Sequence, residues 1–287
     1  MTQPLKVINW FRNESCPLCR ANRIRKVGDI SYLRPTHFST TEIELEFVPE
    51  YWRCAECGSF FIQNILPEGM AISLYSRGES NARWSTEPFV SRKPANQIHC
   101  LAKYFLPGRT VLDVGCNTGE LLDYAKSLGC NTTGVEFSKS SRHVLEEKGH
   151  TACSVLNEIQ HQFDVITAFD LVEHLYDVPT FLRQCQSLLK EDGALIILTG
   201  NPASLSARLS KARWWYIRYP EHIVFPSKRY YASCSGYELH EWVKTYASVG
   251  YRHRIGYSIA RGIWDGTFNG LPSIGPDHVL LVMKRAS

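Results

Sequence analysis

Nine residues near the middle of the chain decide its fold: Val111-Leu112-Asp113-Val114-Gly115-Cys116-Asn117-Thr118-Gly119. The stretch opens with a short apolar run, and the residues after its last glycine carry apolar side chains at helical spacing. The two glycines therefore lie where a strand turns into a helix. Glycines at such a turn let the backbone approach a ligand, and the start of the helix offers unpaired N–H groups. The stretch predicts a strand, a ligand-binding loop and a helix.

An acidic residue after the next strand completes this pattern. Glu136 comes 17 residues after Gly119 (136 − 119), and a carboxylate at that strand end can accept hydrogen bonds from both hydroxyls of a ribose. Asp113 lies two residues before the first glycine and argues against a nicotinamide site, where the strand runs apolar into the loop. A carboxylate at this point suits a ligand that carries an ammonium group.

The flanking sequence alternates strand-like and helix-like segments. The predicted strands are residues 110–114, 132–135, 163–169, 193–199 and 279–283. The predicted helices are residues 119–128, 138–148, 178–190 and 238–248, the last of them stopped by Gly250. Strands separated by helices imply a parallel sheet covered on both faces, which binds ligands at the carboxyl ends of its strands.

On these residues the chain resembles the class I S-adenosylmethionine-dependent methyltransferases, whose first motif is an acidic residue followed by alternating glycines. The resemblance runs from about Leu101 to the end of the chain. It implies an α/β fold with a Rossmann-like, mostly parallel seven-stranded sheet. One position departs from the motif, because Asn117 replaces the middle glycine. Asparagine tolerates left-handed backbone better than other non-glycine residues.

The resemblance also implies which residues bind S-adenosylmethionine. They are Asp113, Gly115, Asn117, Gly119, Glu136, Phe137, Phe169 and Asp170. The glycine loop would cradle the methionine end, the acidic residue after the second strand would bind the ribose, and the phenylalanine beside it would lie on the adenine. The last two residues end the fourth strand and would face the cofactor.

Four of the ten cysteines form two C-x-x-C pairs in the N-terminal region. These candidate metal ligands are Cys16, Cys19, Cys54 and Cys57. Two thiolates three positions apart on a tight turn can reach one ion, and two such turns complete a tetrahedron. The pattern resembles a zinc ribbon, and four cysteines leave the ion no open position, so we expect Zn²⁺ to stabilise the fold. Unliganded thiols or a redox C-x-x-C are the alternatives. The other six cysteines occur singly and are expected in the core.

Two histidines lie where an acceptor for a methyl group would bind. His174 follows the fourth strand, and His222 lies in a Tyr-x-Glu-His stretch after the fifth strand. A lone histidine is more often a hydrogen-bonded structural residue. Both of these occur beside acidic residues in strand-end loops, which favours a role in removing a proton during methyl transfer.

The cysteine pairs and the histidine stretches together resemble the zinc-containing deoxysugar C-methyltransferases and related enzymes of polysaccharide and natural-product pathways. The resemblance implies that Tyr219, Glu221, His222 and His174 line the acceptor pocket, with Tyr219 or His222 as proton acceptor, and that Tyr75 closes the site. The full C-methyltransferases carry a further C-terminal domain that is not in this chain, so methylation of a sugar hydroxyl is as consistent with the sequence as methylation of carbon. Which sugar is methylated stays open.

The domain organisation follows from these motifs. We expect a zinc-ribbon domain at residues 1–66, a linker or lid at 67–98, and a methyltransferase domain at 99–287 with a substrate-facing insertion at 201–236. The formal charge of +4 is too small to indicate nucleic acid by itself. No stretch approaches the roughly 20 apolar residues of a membrane span, and the first ten residues lack a secretory pattern. The sequence therefore predicts a cytoplasmic protein with no membrane partner and leaves its oligomeric state open.

Two other functions compete with sugar methylation. The first is an RNA methyltransferase, because residues 208–218 interleave cations with aromatic side chains, as a phosphate-binding and stacking surface does. The modest net charge makes nucleic acid the weaker expectation without excluding it. The second is a non-catalytic zinc-ribbon protein with a degenerate methyltransferase domain, and Asn117 is the feature that favours it.

Overall fold

A seven-stranded sheet forms the centre of the molecule in the computed structural model, which describes residues 5–30, 36–38, 41–77, 88–249 and 275–286. Residues 78–87 of the predicted linker and the predicted helix stop at Gly250 lie outside the described residues. The strands of this sheet are β9 (Thr110–Val114), β10 (Asn131–Val135), β11 (Thr151–Cys153), β12 (Phe163–Phe169), β13 (Leu189–Gly200), β15 (Tyr237–Thr245) and β16 (His278–Arg285).

The order of the strands in this sheet is β11-β10-β9-β12-β13-β16-β15. The first five strands pair in parallel, and β16 runs antiparallel to both of its neighbours. The middle strands are buried almost end to end, as expected for a sheet that is covered on both faces. The predicted α/β fold with a Rossmann-like, mostly parallel seven-stranded sheet is therefore confirmed.

Helices connect the strands and cover the sheet. Their bounds are α1 (Glu68–Arg77), α2 (Phe89–Arg92), α3 (Ala95–Ala102), α4 (Glu120–Ser127), α5 (Lys139–Glu147), α6 (Val178–Leu188), α7 (Leu205–Ser210) and α8 (Lys228–Ala232). Among the described residues, the longest of them has 11 residues, and none combines the length and apolarity that crossing a bilayer requires.

The prediction of a helix over residues 238–248 is wrong, because this segment forms the edge strand β15. It pairs with β16 from Tyr237 to Thr245, and the register shifts between Leu239 and Glu241. Such an irregularity interrupts the period-two alternation of a strand and leaves apolar residues at a spacing that resembles a helix. Pairing with β16, a contact remote in sequence, determines the structure here.

The N-terminal region consists of short strands. They are β1 (Leu5–Val7), β2 (Phe11–Arg12), β3 (Ile24–Asp29), β4 (Thr36–Phe38), β5 (Thr41–Leu45), β6 (Glu50–Cys54), β7 (Phe60–Ile62) and β8 (Asn64–Ile65). They form a three-stranded sheet in the order β1-β5-β4, a pair β2-β8, and part of a four-stranded sheet.

The four-stranded sheet joins the N-terminal region to the predicted insertion. Its order is β14-β7-β6-β3, where β14 (Val224–Phe225) lies immediately after the Tyr-x-Glu-His stretch. The backbone N–H of Ile62 donates to the carbonyl of Ile223 at 2.8 Å, and the Ser227 hydroxyl donates to the carbonyl of Cys57 at 2.5 Å. The segment that carries His222 is thus built into the sheet next to the cysteine pairs.

The described core contains two hydrophobic clusters. One contains Leu121, Leu122 and Leu145, from the helices that follow the glycine loop. The other contains Phe61 of the N-terminal region and Tyr219 of the predicted insertion, together with side chains of the central strands such as Leu112, Val114 and Val135. The strands that lead to the glycine loop and to Glu136 thus pack in the same cluster as the histidine stretch.

Candidate active site and metal centre

The glycine loop has the backbone conformation that its residues predict. Gly115, Asn117 and Gly119 all have positive φ, at 74°, 49° and 80°. A side chain at Gly119 would collide with Leu145, and one at Gly115 would lie 3.1 Å from Leu171. Asparagine, which tolerates left-handed backbone, thus keeps the loop geometry at the middle position.

Asp113 ends up buried just below the loop, with 4% of its surface exposed. The Thr167 hydroxyl of β12 donates to its Oδ1 at 2.6 Å. Burial raises the pKa of Asp113 to about 7 in spite of this hydrogen bond. A carboxyl group held in this way has one fixed oxygen and gains from a cationic ligand that would favour its charged form.

Glu136 is positioned by two backbone donors. Its Oε2 accepts a hydrogen bond from the N–H of Asn117 at 3.0 Å, and its Oε1 accepts one from the N–H of Ser138 at 2.9 Å. The register pairs Val135 with Val114, so this carboxylate stands at the same sheet edge as the glycine loop. A carboxylate offers about four lone-pair directions. Two of them are used here, and two acceptor directions remain for ligand hydroxyls.

The remaining predicted cofactor residues border the same edge. Phe137 exposes 70% of its surface, which leaves its ring available to a flat ligand. Phe169 ends β12, and Asp170 follows it with φ 50°. S-adenosylmethionine carries an ammonium group, a ribose and an adenine. The buried carboxyl of Asp113, the carboxylate of Glu136 and the exposed ring of Phe137 match these three groups in that order. The residues at this edge therefore fit S-adenosylmethionine.

His174 lies at the other side of this edge, in the 3-10 turn Val172–His174 after β12. Its Nδ1 is 3.0 Å from the Tyr75 hydroxyl of α1 and 3.0 Å from the backbone oxygen of Glu221. The structure therefore brings together two of the predicted pocket residues and the tyrosine expected to close the site, across 99 and 47 sequence positions.

The ring of His222 stands perpendicular to that of His174, with 4.6 Å between the ring centroids. Its Nδ1 lies 2.7 Å from the carbonyl oxygen of Tyr216. A carbonyl oxygen only accepts hydrogen bonds, so Nδ1 carries the proton and Nε2 keeps a lone pair. Burial lowers the pKa of both imidazoles below the ordinary 6.5, and the positive charge of Arg218 adds to this effect. Both rings are therefore neutral near pH 7.

Tyr219 is buried, and its ring meets the edge of Phe47 from the N-terminal region at a centroid distance of 6.4 Å. The peptide bond between Tyr219 and Pro220 is cis. The predicted residues of the Tyr-x-Glu-His stretch thus lie between the ribbon and the turn that carries His174.

Sequence reasoning did not assign Glu173, although it lies beside His174. Glu173 is completely buried, and its carboxyl group accepts hydrogen bonds from the Tyr216 and Thr199 hydroxyls. Burial raises its pKa to about 8. Its carboxyl oxygen and one ring nitrogen of each histidine lie within 4.8 Å of one another. The sequence signal that could have indicated Glu173 is its position beside a histidine at the end of a strand.

Asp170 has two neighbours that the sequence did not indicate. The Nε2 of His278 lies 3.8 Å from its Oδ1, and the Nζ of Lys93 lies 3.9 Å from its Oδ2. Neither distance is a hydrogen bond. His278 begins β16 and Lys93 follows α2, so both reach this point from segments that are distant in sequence.

The four predicted metal ligands converge in the N-terminal region. The sulfurs of Cys16 and Cys57 are 3.7 Å apart, those of Cys19 and Cys54 are 3.6 Å apart, and all four lie within 4.8 Å of one another. A tetrahedral zinc ion with Zn–S bonds of about 2.3 Å separates its sulfurs by about 3.8 Å. Gly58, with φ 74°, turns the chain after the second pair.

The fold and the site together define a class I S-adenosylmethionine-dependent methyltransferase. A methyltransferase domain family matches residues 87–235, which is 149 of the 287 residues (235 − 87 + 1). The chain belongs to this family, and the prediction of an enzyme that uses S-adenosylmethionine is confirmed.

Curated relatives are similar over about a third of the chain. The ubiquinone biosynthesis O-methyltransferase of Bradyrhizobium diazoefficiens is 35% identical over 105 residues, covering 33% of this chain and 42% of the relative. The mitochondrial ubiquinone biosynthesis O-methyltransferase of Bos taurus is 34% identical over 118 residues, covering 36% of this chain and 32% of the relative. The chain thus spans less than half the length of these relatives, which are not deoxysugar methyltransferases.

A solved structure shows the same fold. A chain in the complex between the Haloferax volcanii Trm112 methyltransferase activator and a methyltransferase superposes with a TM-score of 0.51 at 13% identity. The superposition covers 67% of this chain and 89% of that chain.

Proposed function

We propose that the protein transfers the methyl group of S-adenosylmethionine to a small sugar-like acceptor, free or linked to a nucleotide, at a hydroxyl oxygen or a carbon atom. The observation that supports this most is the perpendicular imidazole pair at the carboxyl edge of the sheet. His222 is buried, neutral and fixed in one tautomer by the carbonyl of Tyr216. Such a group is suited to accept a proton.

The roles that we propose for the individual residues follow from the geometry. Bound S-adenosylmethionine supplies an electrophilic methyl group on a sulfonium. Asp113 would face its ammonium group, and Glu136 would bind its ribose hydroxyls. On the acceptor side, Tyr75 and His174 orient the reacting hydroxyl, and Nε2 of His222 takes its proton. Transfer to oxygen would form the O–CH3 bond, break the O–H bond with the proton going to His222, and break the S–CH3 bond of the donor with its electron pair left on sulfur.

Two features support a polar, anionic acceptor of the sugar-nucleotide type. Arg218 is exposed but close enough to lower the pKa of both imidazoles, and an exposed arginine near these histidines suits a diphosphate. Trp215 is half-buried beside the site, and indole faces pack well on pyranose rings. The motif resemblance to deoxysugar methyltransferases points to the same acceptor class.

A phenolic acceptor is the second candidate, because the curated relatives are named as O-methyltransferases of ubiquinone biosynthesis. A neutral histidine also deprotonates a phenol, whose ordinary pKa near 10 makes the task easier than with a sugar hydroxyl. The similarity to these relatives covers about a third of this chain.

We also propose that the four cysteines bind a structural Zn²⁺. The sulfur separations of 3.6 and 3.7 Å are close to the tetrahedral value. The ion would fix the sheet that includes β14, and through it the Ile223 backbone, whose N–H donates to the Glu173 carbonyl at 2.8 Å. Thiolate ligands of this kind persist in a reducing compartment, and a cytoplasmic location belongs to the proposal.

An acceptor panel tests the proposed function. The protein, S-adenosylmethionine and one of three acceptor sets (nucleotide-linked deoxysugars, catechol-type phenols and bulk RNA) are incubated and analysed by mass spectrometry for the gain of one methyl group. The proposal expects methylation in the sugar arm only, and NMR of the product then locates the methyl on oxygen or carbon.

Two variants test whether methylation in the panel depends on the proposed site. His222→Asn should abolish the gain of mass, and His240→Asn, an exposed histidine on β15, should not. Methylation of phenols or RNA without sugar methylation would replace the proposed acceptor.

A further inference from the structure

Glu173 holds the chain on both sides of His222. It lies in the 3-10 turn after β12 and is completely buried. Its carboxyl group accepts a hydrogen bond from the Tyr216 hydroxyl, and its backbone carbonyl accepts one from the N–H of Ile223 at 2.8 Å. Tyr216 comes six residues before His222, and Ile223 comes directly after it. One residue therefore fastens both ends of the segment that carries His222.

Tyr216 connects this carboxyl group to the imidazole of His222. Its hydroxyl donates to Glu173, and its backbone oxygen lies 2.7 Å from Nδ1 of His222. The rings of Tyr216 and His222 also pack together, with their centroids 4.7 Å apart. Which nitrogen of a neutral histidine carries the proton is set by the hydrogen bond that the ring makes. The position of the Tyr216 backbone therefore decides whether Nε2 of His222 keeps the lone pair that accepts a proton.

The central sheet fixes the positions of Glu173 and Tyr216. Thr199, near the end of β13, donates a hydrogen bond to the second carboxyl oxygen of Glu173 at 2.9 Å. A side chain at Gly200, the next residue, would collide with the ring of Tyr216, so this ring lies directly on the backbone of β13. Glu173 thus joins the segment that carries His222 to the end of a buried strand.

The contacts of Glu173 act mainly as hydrogen bonds between neutral groups. A buried carboxyl group costs free energy unless its polar atoms are paired, and here both oxygens are. Burial raises the pKa of Glu173 to about 8, so the group is mostly protonated near pH 7. It therefore adds little charge beside the neutral imidazoles of His174 and His222.

We propose that Glu173 is a positioning residue that holds Tyr216 in place and so keeps the imidazole proton of His222 on Nδ1. The inference rests on the proposed function, because it concerns the residue that is proposed to accept the proton. Glu173 acts through Tyr216 and needs no contact with the acceptor or with the methyl group. Its loss should therefore change the proton position on His222 and the turnover, and leave the binding of both substrates nearly unchanged.

Two readouts test this role on the full chain. NMR with ¹⁵N-labelled histidine measures which ring nitrogen of His222 carries the proton, and the signal that disappears in His222→Asn identifies the residue. Steady-state kinetics with the nucleotide-linked deoxysugars measure kcat and KM. Tyr216→Phe removes the hydroxyl and keeps the ring on β13, whereas Glu173→Leu removes the whole carboxyl group. For both variants we expect part of the proton to move to Nε2, kcat to fall by about 10-fold or more, and KM to stay within about threefold.

A conservative variant and a matched control make the test specific. In Glu173→Gln, the amide oxygen still accepts from Tyr216 and the NH₂ group donates to the Thr199 hydroxyl, so the proton should return to Nδ1 and most of the turnover should be recovered. Tyr231→Phe is the control, because Tyr231 is also completely buried but its hydroxyl has no hydrogen-bond partner in the described part of the chain. This variant should match the unmodified chain in both readouts.

A proton that stays on Nδ1 in Tyr216→Phe and Glu173→Leu would overturn the inference, whether or not kcat falls. Glu173→Gln behaving like Glu173→Leu would overturn it too, because hydrogen bonding alone would then not explain the effect. Thermal unfolding checks each fold, and Tyr216→Phe keeps the test valid should Glu173→Leu unfold. If the unmodified chain methylates no acceptor, the proposed function fails, while the NMR measurement still decides whether Glu173 positions the proton.

Discussion

The proposed donor side and the proposed acceptor side of the candidate active site are built in different ways. Asp113 and Glu136 belong to one strand–helix–strand unit and are 23 positions apart (136 − 113). The acceptor side joins Tyr75, His174 and the segment that ends at His222, through contacts that span 99 and 47 positions. The donor side is determined by residues that are close together in the sequence, whereas the acceptor side is assembled from segments that are far apart in the sequence.

The sheet topology supports the same distinction. β14 completes the ribbon sheet directly after His222. A methyltransferase fold can thus keep its donor loop while a separate module shapes the pocket for the acceptor. Changes on one side should leave the other side nearly unaffected.

His222→Asn should have the largest effect on turnover. Asparagine can still donate to the carbonyl of Tyr216 but has no basic nitrogen, so we expect kcat to fall by about 10²- to 10⁴-fold. The dissociation constant of S-adenosylmethionine should change by less than about threefold, because the donor side is untouched. Steady-state kinetics and calorimetry measure the two quantities. A variant that keeps its kcat would remove His222 from the chemistry.

Gly119→Ala should damage the donor side through its backbone. Alanine at φ 80° costs about 1–2 kcal/mol, and contact with Leu145 adds a packing penalty of similar size. We expect the free energy of unfolding to fall by about 2–4 kcal/mol in urea titrations. The matched control is Gly69→Ala in α1, where no atom lies within 4 Å of the added methyl group and alanine favours the helix. Equal stability of the two variants would contradict the strained-loop account.

Glu136→Gln should weaken the donor selectively. The amide keeps the size of the side chain, but its NH₂ group must face one of the two backbone N–H donors that the carboxylate now accepts. We expect S-adenosylmethionine to bind about 10- to 100-fold more weakly, while the acceptor KM stays within about threefold. Glu147→Gln on α5, an exposed carboxylate paired with His143, is the control. Full affinity in Glu136→Gln would refute the ribose assignment.

The pH dependence should be the smallest effect. Burial lowers the pKa of His174 and His222, so both imidazoles stay neutral as the pH falls through 6.5. With saturating S-adenosylmethionine, kcat at pH 6 should therefore stay close to its value at pH 7.5, whereas a base with the ordinary pKa would lose about three- to fourfold. A titration of kcat with a midpoint at 6.5 or above would contradict the assignment.

The same lowered pKa values fix the sign of a stability effect. The unfolded chain takes up protons at these histidines below about pH 6.5, and the folded chain does so only at lower pH. Their contribution to stability is therefore complete above that value and is lost as the pH falls toward the lowered values. Thermal unfolding across this window measures it.

The conformation of the glycine loop could be predicted from the sequence because its determinants are local. Positive φ at Gly115 and Gly119, and tolerance of it at Asn117, follow from residue type alone. The strand register then places Glu136 at the same edge without further information.

Elements fixed by distant contacts could not be predicted in this way. β15 has its conformation from pairing with β16 and from a register shift that hides its alternation. Glu173 and Lys93 reach the site through burial and through neighbours on other segments, which no local pattern reveals. The Tyr-x-Glu-His stretch was found by resemblance, but its attachment to the ribbon sheet became visible only in three dimensions.

Removing the metal tests the separation of the two sides most directly. The full chain is loaded with Zn²⁺ or stripped by a chelator, zinc content is measured by mass spectrometry, and the affinity for S-adenosylmethionine and the acceptor turnover are compared. We expect one zinc ion per chain, a loss of turnover of at least about 100-fold on stripping, and a donor affinity within about threefold. If affinity and turnover fall together, or if neither changes, the acceptor side does not depend on the metal-bound ribbon in the way described here.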